Sequence, residues 1–442
     1  MVTRLNPNQQ DISDQVISGT GKSFLLEQLL AKVRLEGGVA IAVASRGIAA
    51  MLLNGGRTAH SMFRIPHKPN EHSTCGISEQ TQKANLIRQA RLIIWDEALM
   101  MHRSCFEAVD RTFRDIMDND REPFGGKAIV FCGDHRQILP VLKDATRAET
   151  LKACFKASPL WRHLKQVRLF ENMPQVEVEF PNFTLLRDNE GYDPCDDPEP
   201  EDDRRLRTVN ALIDAVCSGV GDENLPDQYF VDRAILAPTN ASVRRINEMV
   251  AERLSGETKE YLSNDSLECP GDQSLFEPEF LNSLNFSGMA PHKMILKVGT
   301  PVIMIRNLNS DDGLCNGRRL RVVALREKCM DATIMTGPRR RKRVFIPRVV
   351  FFSDDEDKEF PFTMRRKQFP VVQAFAMTIN KAQGQSIHHV GIYLETLVFA
   401  HCQLYVALSR VTSRKAIKIA IDPKTVDEDG SVHTKNRIPR NF

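Results

Sequence analysis

The sequence lacks any Cys-x-x-Cys pair, and no apolar run approaches the roughly 20 residues that a membrane span requires. Its ten cysteines are spread singly, which argues against a zinc ribbon or disulfide scaffold and favours a reducing, intracellular compartment. The polar start MVTRLNPNQQD does not have the pattern of a secretory signal. The net charge is only +3, so charge alone neither requires nor excludes a nucleic-acid partner. We therefore expect an intracellular protein with no membrane partner.

The chain has 442 residues, of which 42% are hydrophobic, enough for two to four domains. In its first part, short apolar runs alternate with helical patterns. The predicted strands are Val39–Ala44, Leu92–Trp95 and Ala128–Cys132, and the predicted helices are Phe24–Leu35, Gly47–Leu53 and Ser104–Asp118. This alternation predicts an α/β fold with a parallel sheet covered on both faces.

The composition changes from Asp188 to Asp203, where nine acidic residues and three prolines occur without a basic residue. Such a segment predicts a linker or a surface insertion. A second α/β region begins near Arg233 with RAILAPTN, short strand-like pieces dominate from about Gly299, and the α/β pattern resumes at Pro370 with a strand PVVQAFAMT.

Gly19-Thr20-Gly21-Lys22-Ser23 precedes the helical pattern FLLEQLLAKV, as in the second half of a phosphate-binding loop. Main-chain N–H groups would surround the phosphates, Lys22 would reach the terminal ones, and the Ser23 hydroxyl would bind Mg²⁺. The alternative is a chance surface turn before a helix.

The apolar run LIIWDE predicts a buried strand with two carboxylates at its C-terminal end, where open α/β sheets bind ligands. Asp96 would then hold Mg²⁺ and Glu97 would orient the attacking water. The alternative, a solvated acidic pair, is disfavoured by the order of the two motifs. Gln137, after the strand AIVFC, is a candidate sensor of the γ-phosphate.

Further segments follow in a characteristic order: LNPNQQ, ASRGIAAMLLNGGRTAHSMFRIP, FCGDHRQILPV, LFENM, AILAPTN, AFAMTINKAQGQS and HCQLYVALSRV. With them the sequence resembles superfamily-one helicases of the petite-integration-frequency (PIF) family, including those of Helitron transposons. The resemblance implies two RecA-like P-loop NTPase domains with a small β-rich insertion in the second. It also implies ATP and Mg²⁺ in the cleft between the domains, and 5′→3′ movement on single-stranded DNA.

The resemblance further assigns roles to individual residues. Gln10, or its neighbour Gln9, would read the adenine, Gln383 would belong to the ATP site, and Arg410 would be the arginine finger on the γ-phosphoryl group. The residues that would contact DNA are Thr58, His60, Ser61, Phe63, Thr378, Lys381 and Ser386. Phe63 would stack on a base, with a place in the core as its alternative. The basic runs 339–343 and 365–367 would contact DNA or form a solvated face.

These expectations give four regions. Residues 1–175 form the first RecA-like domain, and 176–230 form an acidic linker or insertion. Residues 231–275 and 368–442 form the second RecA-like domain, and 276–367 form the inserted β-rich module. Duplex junctions are expected as DNA partners, the expected oligomeric state is a monomer, and the expected location is the nucleus, with mitochondria as the alternative.

The sequence departs from the family pattern at two places on the nucleotide site. No strand precedes Gly19, where about 15 residues are missing, so a gap in the sheet is expected. Pro174 stands where the family has an arginine that reaches the γ-phosphate. The expected function is ATP-dependent unwinding in telomere maintenance, DNA repair, recombination or transposition. The alternatives are an impaired transposon-derived fragment that only binds DNA and a nucleotide switch unrelated to DNA.

Overall fold

The structure is a computed structural model. It describes residues 22–133, 140, 142, 146–166, 201–222, 225–268, 277–286, 288–309, 312–337, 339–353, 362–385, 387–395, 403–410 and 416–421. No helix within these ranges is both long and apolar enough to cross a bilayer.

The first domain contains a parallel sheet with the strand order β2-β1-β3-β4. Its elements are α1 (Lys22–Leu35), β1 (Val39–Ala44), α2 (Gly47–Leu52), β2 (Arg57–Thr58), α3 (Ala59–Phe63), α4 (Gln82–Gln89), β3 (Ala90–Asp96), α5 (Arg103–Met117), β4 (Ile129–Phe131) and α6 (Arg147–Ala153). Short 3₁₀ turns lie at Ala98–Met100, Pro123–Gly126, Phe155–Ala157 and Pro159–His163. The predicted strands and helices are found within two residues of their predicted ends.

Both faces of this sheet are covered, because side chains alternate along each strand. Ile93 and Trp95 of β3 pack into one cluster with Phe106 of α5. Ile94 points to the opposite face and packs with Leu30 of α1. Burial on both sides explains why β3 is a continuous apolar run, and it carries Asp96 to the edge of the sheet where the parallel strands end.

The expected gap in the sheet is not found among the described strands, since β3 pairs directly with β4 through Ile93 and Ile129. No described strand pairs with the other side of β4, whose three residues are all half-buried. The segment before Gly19 lies outside the described residues, so the expected gap stays a prediction.

From residue 201 onward the elements are α7 (Glu201–Val216), α8 (Asp227–Val231), β5 (Arg233–Ala237), α9 (Asn240–Arg253), β6 (Thr258–Leu262), β7 (Asn264–Leu267), α10 (Pro278–Ser283), β8 (Lys293–Lys297), β9 (Pro301–Met304), β10 (Arg319–Leu325), β11 (Cys329–Ile334), β12 (Arg343–Pro347), β13 (Val349–Phe352), β14 (Met364–Gln368), β15 (Val371–Gln373), β16 (Ala376–Thr378), α11 (Ile379–Ala382), β17 (His389–Leu394), α12 (Gln403–Leu408) and β18 (Ile417–Ile421). Four of these strands form a second parallel sheet, in the order β16-β5-β17-β18.

Helix α7 corrects the expectation of a linker over 176–230. Val209, Leu212, Ile213 and Val216 are buried in the core of the second domain. They follow the helical spacing i, i+3, i+4, i+7, which the acidic residues before them obscured in the sequence. Residues 201–216 therefore belong to the second domain by packing.

The inserted module consists of antiparallel sheets with the orders β12-β11-β10-β9-β15, β13-β14-β7 and β6-β8. Its strands include β6, β7 and β15, so by strand pairing it is wider than the predicted 276–367. The predicted single strand PVVQAFAMT is two strands, β15 in the module and β16 in the parallel sheet. The hydrogen bonds that assign each strand to its sheet join residues far apart in the sequence, so local patterns did not reveal them.

Candidate nucleotide site and nucleic-acid surface

The described part of the phosphate loop begins at Lys22, the first residue of α1. Gln10, Gly19, Thr20 and Gly21 lie outside the described residues. Ser23 lies in the first turn of α1, but its side chain is outside the described part. The predicted roles of these residues stay predictions.

Lys22 contacts both carboxylates of the predicted pair. Its Nζ lies 3.0 Å from Asp96 Oδ1 and 2.8 Å from Glu97 Oε1. Burial by itself would lower the pKa of Lys22, but the two carboxylates outweigh it and raise that pKa above its usual range. The ammonium is therefore charged, and the structure brings Lys22 to two adjacent carboxylates that follow it by 74 and 75 positions in the sequence.

The backbone changes from extended to left-handed between Asp96, the last residue of β3, and Glu97. Asp96 is 2% exposed, and its Oδ1 accepts a hydrogen bond from the Glu97 N–H at 2.9 Å. Glu97 has φ 51°, a left-handed conformation that non-glycine residues rarely adopt. Strain of this kind is concentrated at functional sites.

The donor set around Asp96 fits Mg²⁺ rather than a metal held wholly by protein. No group of three or more His, Cys, Asp or Glu side chains with metal-ligand geometry occurs among the described residues. Mg²⁺ usually binds one or two carboxylates together with substrate phosphates and water. Asp96, next to the ammonium of Lys22, supplies such a carboxylate.

The second domain presents its predicted residues around the short helix α11. Thr378 is the N-cap of this helix and accepts a hydrogen bond from Lys381 N at 3.4 Å. Lys381 is exposed, and Gln383, the C-cap, is 4% exposed. Ser386 and Gln137 lie outside the described residues.

Arg410 follows α12 and is bonded within its own domain. Its guanidinium donates to Val406 O at 2.9 Å, Gln385 O at 3.2 Å and Ser409 Oγ at 2.9 Å. The residue is 9% exposed. The predicted role of Arg410 on the γ-phosphoryl group stays a prediction.

Of the four predicted DNA contacts in the first domain, three lie at the start of α3. Thr58 is its N-cap and accepts from Ser61 N at 3.3 Å. His60 is half-buried, and its ring stacks on His67 with centroids 6.4 Å apart. Ser61 is exposed.

The prediction that Phe63 stacks on a base is wrong, because its ring is fully buried. It packs against Trp95 and lies edge-on to Phe113. A nucleobase has no access to either face, so Phe63 does not stack on DNA. The amphipathic pattern of α3 favours the core, and burial of the aromatic ring decided the question.

Three basic residues near α3 were missed by the sequence reasoning. Burial and the nearby charges of Arg64 and Arg57 lower the pKa of Lys83, so the three cations share one region. Lys83 donates to Ser61 O at 2.7 Å and to Met62 O at 3.2 Å. Lys83 is 22 residues after Ser61, and no local signal in the sequence connects the two.

The basic runs 339–343 and 365–367 were predicted to contact DNA or to form a solvated face, and several of their side chains contact acidic residues. Lys342 Nζ contacts Asp312 at 2.5 Å, and Arg343 contacts Asp331 at 2.7 Å. Arg366 is 0% exposed and bonds to Asp265 at 2.7 Å. Arg366 is therefore a structural residue of the module and not a DNA contact.

Two parallel sheets, with a lysine bonded to paired carboxylates where a strand of the first sheet ends, define a two-domain P-loop NTPase fold of the RecA type. The family model "PIF1-like helicase" matches residues 7–184, and the model "DNA helicase Pif1, 2B domain" matches residues 279–325. The chain belongs to the PIF1-like helicase family.

Curated relatives agree with this family. The ATP-dependent DNA helicase PIF1 of Xenopus laevis is 27% identical over 415 residues, which cover 92% of this chain and 59% of the relative. The human protein of the same name is 28% identical over 428 residues, covering 94% and 59%. The chain thus spans about three fifths of the length of these relatives.

Solved structures show the same fold. Pif1 helicase from Bacteroides in complex with ADP-AlF3 and ssDNA has a TM-score of 0.62 at 22% identity, covering 95% of this chain and 92% of that one. Pif1 helicase from Candida albicans has a TM-score of 0.57 at 23% identity, covering 95% of each chain.

Proposed function

We propose that this chain is an ATP-dependent DNA helicase, in which hydrolysis of Mg²⁺-ATP between the two domains drives translocation on single-stranded DNA. The observation that carries the proposal is the contact of Lys22 with Asp96 and Glu97 at the end of β3. Lysine, Mg²⁺-binding carboxylate and water-orienting carboxylate are the groups that phosphoryl transfer to water requires.

In this proposal Lys22 binds the terminal phosphates and Glu97 orients the attacking water. Asp96 and Ser23 would hold Mg²⁺, which neutralises charge on the phosphate oxygens when it is bound. Arg410 stabilises the γ-phosphoryl group after leaving its bonds in the second domain. The predicted roles of Gln10, Gly19, Thr20, Gly21, Gln137 and Gln383 are part of the same proposal.

The proposed path of DNA begins at α3, where Thr58, His60 and Ser61 meet backbone phosphates. The neighbouring cations Arg57, Arg64 and Lys83 supply the positive potential that attracts phosphates. In the second domain the proposed contacts are Thr378, Lys381 and Ser386.

The finer parts of the proposal rest on the family. They are 5′→3′ movement, a monomeric state, a nuclear or mitochondrial location, and a role in telomere maintenance, DNA repair, recombination or Helitron transposition. A solved relative is described as two coordinating Pif1 helicases unwinding forked dsDNA, which supports a forked duplex as the test substrate. Strand displacement from forks with a single 5′ or 3′ tail tests direction, and light scattering with and without DNA tests the oligomeric state.

The primary experiment is ATP hydrolysis with and without single-stranded DNA by the wild type and by Glu97→Gln. We expect DNA-stimulated turnover that falls about 100-fold or more in the variant, because Glu97 no longer accepts a proton from the attacking water. Glu36→Gln, an exposed glutamate after α1, is the matched control and should hydrolyse ATP like the wild type. Equal turnover in Glu97→Gln and wild type would overturn the assignment of Glu97.

The second candidate is a DNA-binding relic without turnover. The hydrogen bonds of Arg410 to acceptors of its own domain favour it. Salt-sensitive binding to oligonucleotides without ATP hydrolysis would support this candidate.

A further inference from the structure

The five-stranded sheet of the inserted module has an outer face, opposite the face that packs in the core of the module. Side chains alternate along a strand, so Val344 and Ile346 of β12 enter that core and Phe345 between them lies on the outer face. Asp331 of β11 is directly opposite Phe345, and Ala324 of β10 is directly opposite Asp331. Opposite residues on antiparallel strands have their side chains on the same face. Phe345, Asp331 and Ala324 therefore form a row across the outer face.

Phe345 is the exposed side chain of this row. It is 61% exposed, more than any other phenylalanine in the described part of the chain. A single exposed apolar side chain is common on protein surfaces and by itself indicates no partner. The charged groups beside Phe345 are what distinguish it.

One carboxylate holds two guanidinium groups beside the ring. Arg343 Nη2 donates to Asp331 Oδ2 at 2.7 Å, and Arg326 Nη2 donates to the same oxygen at 3.1 Å. The side chain of Asp331 is 0% exposed, whereas those of Arg343 and Arg326 are 55% and 61% exposed. Arg343 also precedes Phe345 by two positions, so both side chains leave β12 on the outer face. The negative charge is thus covered, and two positive charges face solvent next to an aromatic ring.

The other oxygen of this carboxylate is not used for stability. Asp331 Oδ1 is buried, and none of the residues that the structure describes forms a hydrogen bond with it. A buried carboxylate with an unpaired oxygen is a weak source of stability, because its desolvation opposes the attraction of its partners. The arrangement does fix two long side chains in place. Fixed side chains lose less conformational entropy when they bind an anion.

The basic run 339–343 extends the positive charge away from Arg343. Lys342 and Arg339 share one acidic partner, Asp312, and Arg340 donates to the neutral side chain of Gln228 at 2.6 Å. Basic side chains therefore outnumber their acidic partners around the exposed ring. An exposed aromatic ring within a positive surface is the combination that binds single-stranded nucleic acid without sequence preference.

Resting on the proposed activity on DNA, we propose that the outer face of the module is an additional contact for single-stranded nucleic acid. A base stacks on the ring of Phe345, and the phosphates on either side of that base bind Arg343 and Arg326. Every base has a π face, so the contact tolerates any sequence. It is separate from the proposed path at α3 and α11, because all of its residues belong to the module.

The first test is photocrosslinking of the full chain to a single-stranded oligonucleotide that carries 5-iodouracil, a base analogue that couples to an aromatic ring on which it stacks. Trypsin cleavage after Arg343 and Arg348 releases residues 344–348, in which Phe345 is the only aromatic residue. We expect this peptide to carry the nucleotide in the wild type and not in Phe345→Ala. Adducts on other peptides without one on 344–348 would overturn the proposal.

The second test measures affinity for a fluorescein-labelled oligothymidine by anisotropy over a range of salt concentrations. Phe345→Ala should weaken binding by at least about fivefold, the lower end for loss of one stacked base. Arg343→Gln and Arg326→Gln should each reduce the slope of log Kd against log salt by about 0.7. Phe345→Trp should bind like the wild type, and its added fluorescence should be quenched by the stacked base.

Leu262→Ala and Lys293→Gln are the matched controls. These two residues lie directly opposite each other on β6 and β8 of the same module. Leu262 is 49% exposed, and Lys293, whose side chain is 54% exposed, is paired with Glu260 at 2.6 Å. The controls remove an exposed apolar side chain and a paired cation without an aromatic ring nearby on that face, so both should bind like the wild type.

The outcomes separate this inference from the proposed function. A wild type that does not hydrolyse ATP, with the adduct on 344–348 present, would overturn the proposed function alone. DNA-stimulated hydrolysis with no adduct there, and wild-type affinity in Phe345→Ala, would overturn the contact on the module alone. Self-association that Phe345→Ala abolishes by light scattering, with DNA affinity unchanged, would assign the outer face to a protein interface and also overturn it. If Phe345→Ala fails to fold, the quenching in Phe345→Trp decides.

Discussion

The ion contacts of Lys22 predict a large loss of stability when its charge is removed. Lys22→Met keeps most of the apolar stem and deletes the ammonium that lies 2.8 Å from Glu97 and 3.0 Å from Asp96. The side chains of Lys22, Asp96 and Glu97 are only 14%, 3% and 12% exposed. Breaking a buried ion pair by removing one partner costs about 3–5 kcal/mol. That is a large part of the roughly 5–15 kcal/mol that stabilises a folded domain.

The pH dependence of this stabilisation follows from the pKa of Lys22. That pKa is raised above its ordinary value of 10.5, so the contribution is fully present below 10.5 and is lost as pH rises through the folded-state value. Stability differences between wild type and variant should therefore be constant from about pH 7 to about pH 9.

The assay is urea unfolding followed by tryptophan fluorescence. The chain has two tryptophans, and one of them, Trp95, is fully buried and adjacent to Asp96. Glu97→Gln should be milder than Lys22→Met, because Lys22 keeps Asp96 as a partner. Adding Glu97→Gln to Lys22→Met should recover part of the loss, because one of two like charges is gone. A Lys22→Met protein within about 0.5 kcal/mol of wild type would refute the reasoning.

Four further predictions concern side chains whose surroundings only the structure shows. Phe63→Ala should lower the free energy of unfolding by about 3–5 kcal/mol and leave the oligonucleotide affinity of the folded protein unchanged, as measured by urea unfolding and anisotropy. Burial, and to a smaller extent the neighbouring His67, lowers the pKa of His60, so its imidazole is neutral at pH 7.5. His60→Ala should therefore leave the salt dependence of oligonucleotide binding, the slope of log Kd against log salt, unchanged. Lys83→Ala, measured in the same titration, should reduce that slope by about 0.7. Arg366→Leu should destabilise the module by about 3–5 kcal/mol by thermal unfolding, and Arg366→Leu with Asp265→Leu should recover most of the loss.

Each of these predictions has an outcome that contradicts it. An unchanged salt slope in Lys83→Ala would mean that Lys83 does not contact a phosphate. A loss of DNA affinity in fully folded Phe63→Ala would reinstate the stacking role. A smaller salt slope in His60→Ala at pH 7.5 would mean that the imidazole is charged. A double variant at Arg366 and Asp265 that is no more stable than the single one would mean that the unpaired Asp265 is not the source of the loss.

The sequence was sufficient to predict the features that depend on neighbouring residues along the chain. Strand β1 ends where predicted because VAIAVA is apolar on both faces, as a central parallel strand must be. The motifs GTGKS and LIIWDE were found by the chemistry of their residue types, and Lys22, Asp96 and Glu97 are in mutual contact. The order of motifs along the chain also indicated the family.

The predictions that were wrong concern contacts between residues far apart in the sequence. Helix α7 was hidden behind an acidic segment, and its membership of the second domain is visible only in its burial against the sheet. The division of PVVQAFAMT between two sheets is decided by pairing with β9 and β5. The order of apolar and polar residues in a sequence shows which positions of an element are buried. It does not show which other element packs or pairs with them.

The sequence by itself therefore determined the two α/β regions, the chemistry of the nucleotide site and the family, because local order and residue type suffice for these. Only the tertiary structure decided that Phe63 is a core residue, that Lys83 lies beside Ser61 of α3, and that Arg46 contacts Asn380. The reason is physical: exposure and charge balance are properties of the folded surroundings of a side chain, and those surroundings come from residues up to 334 positions away.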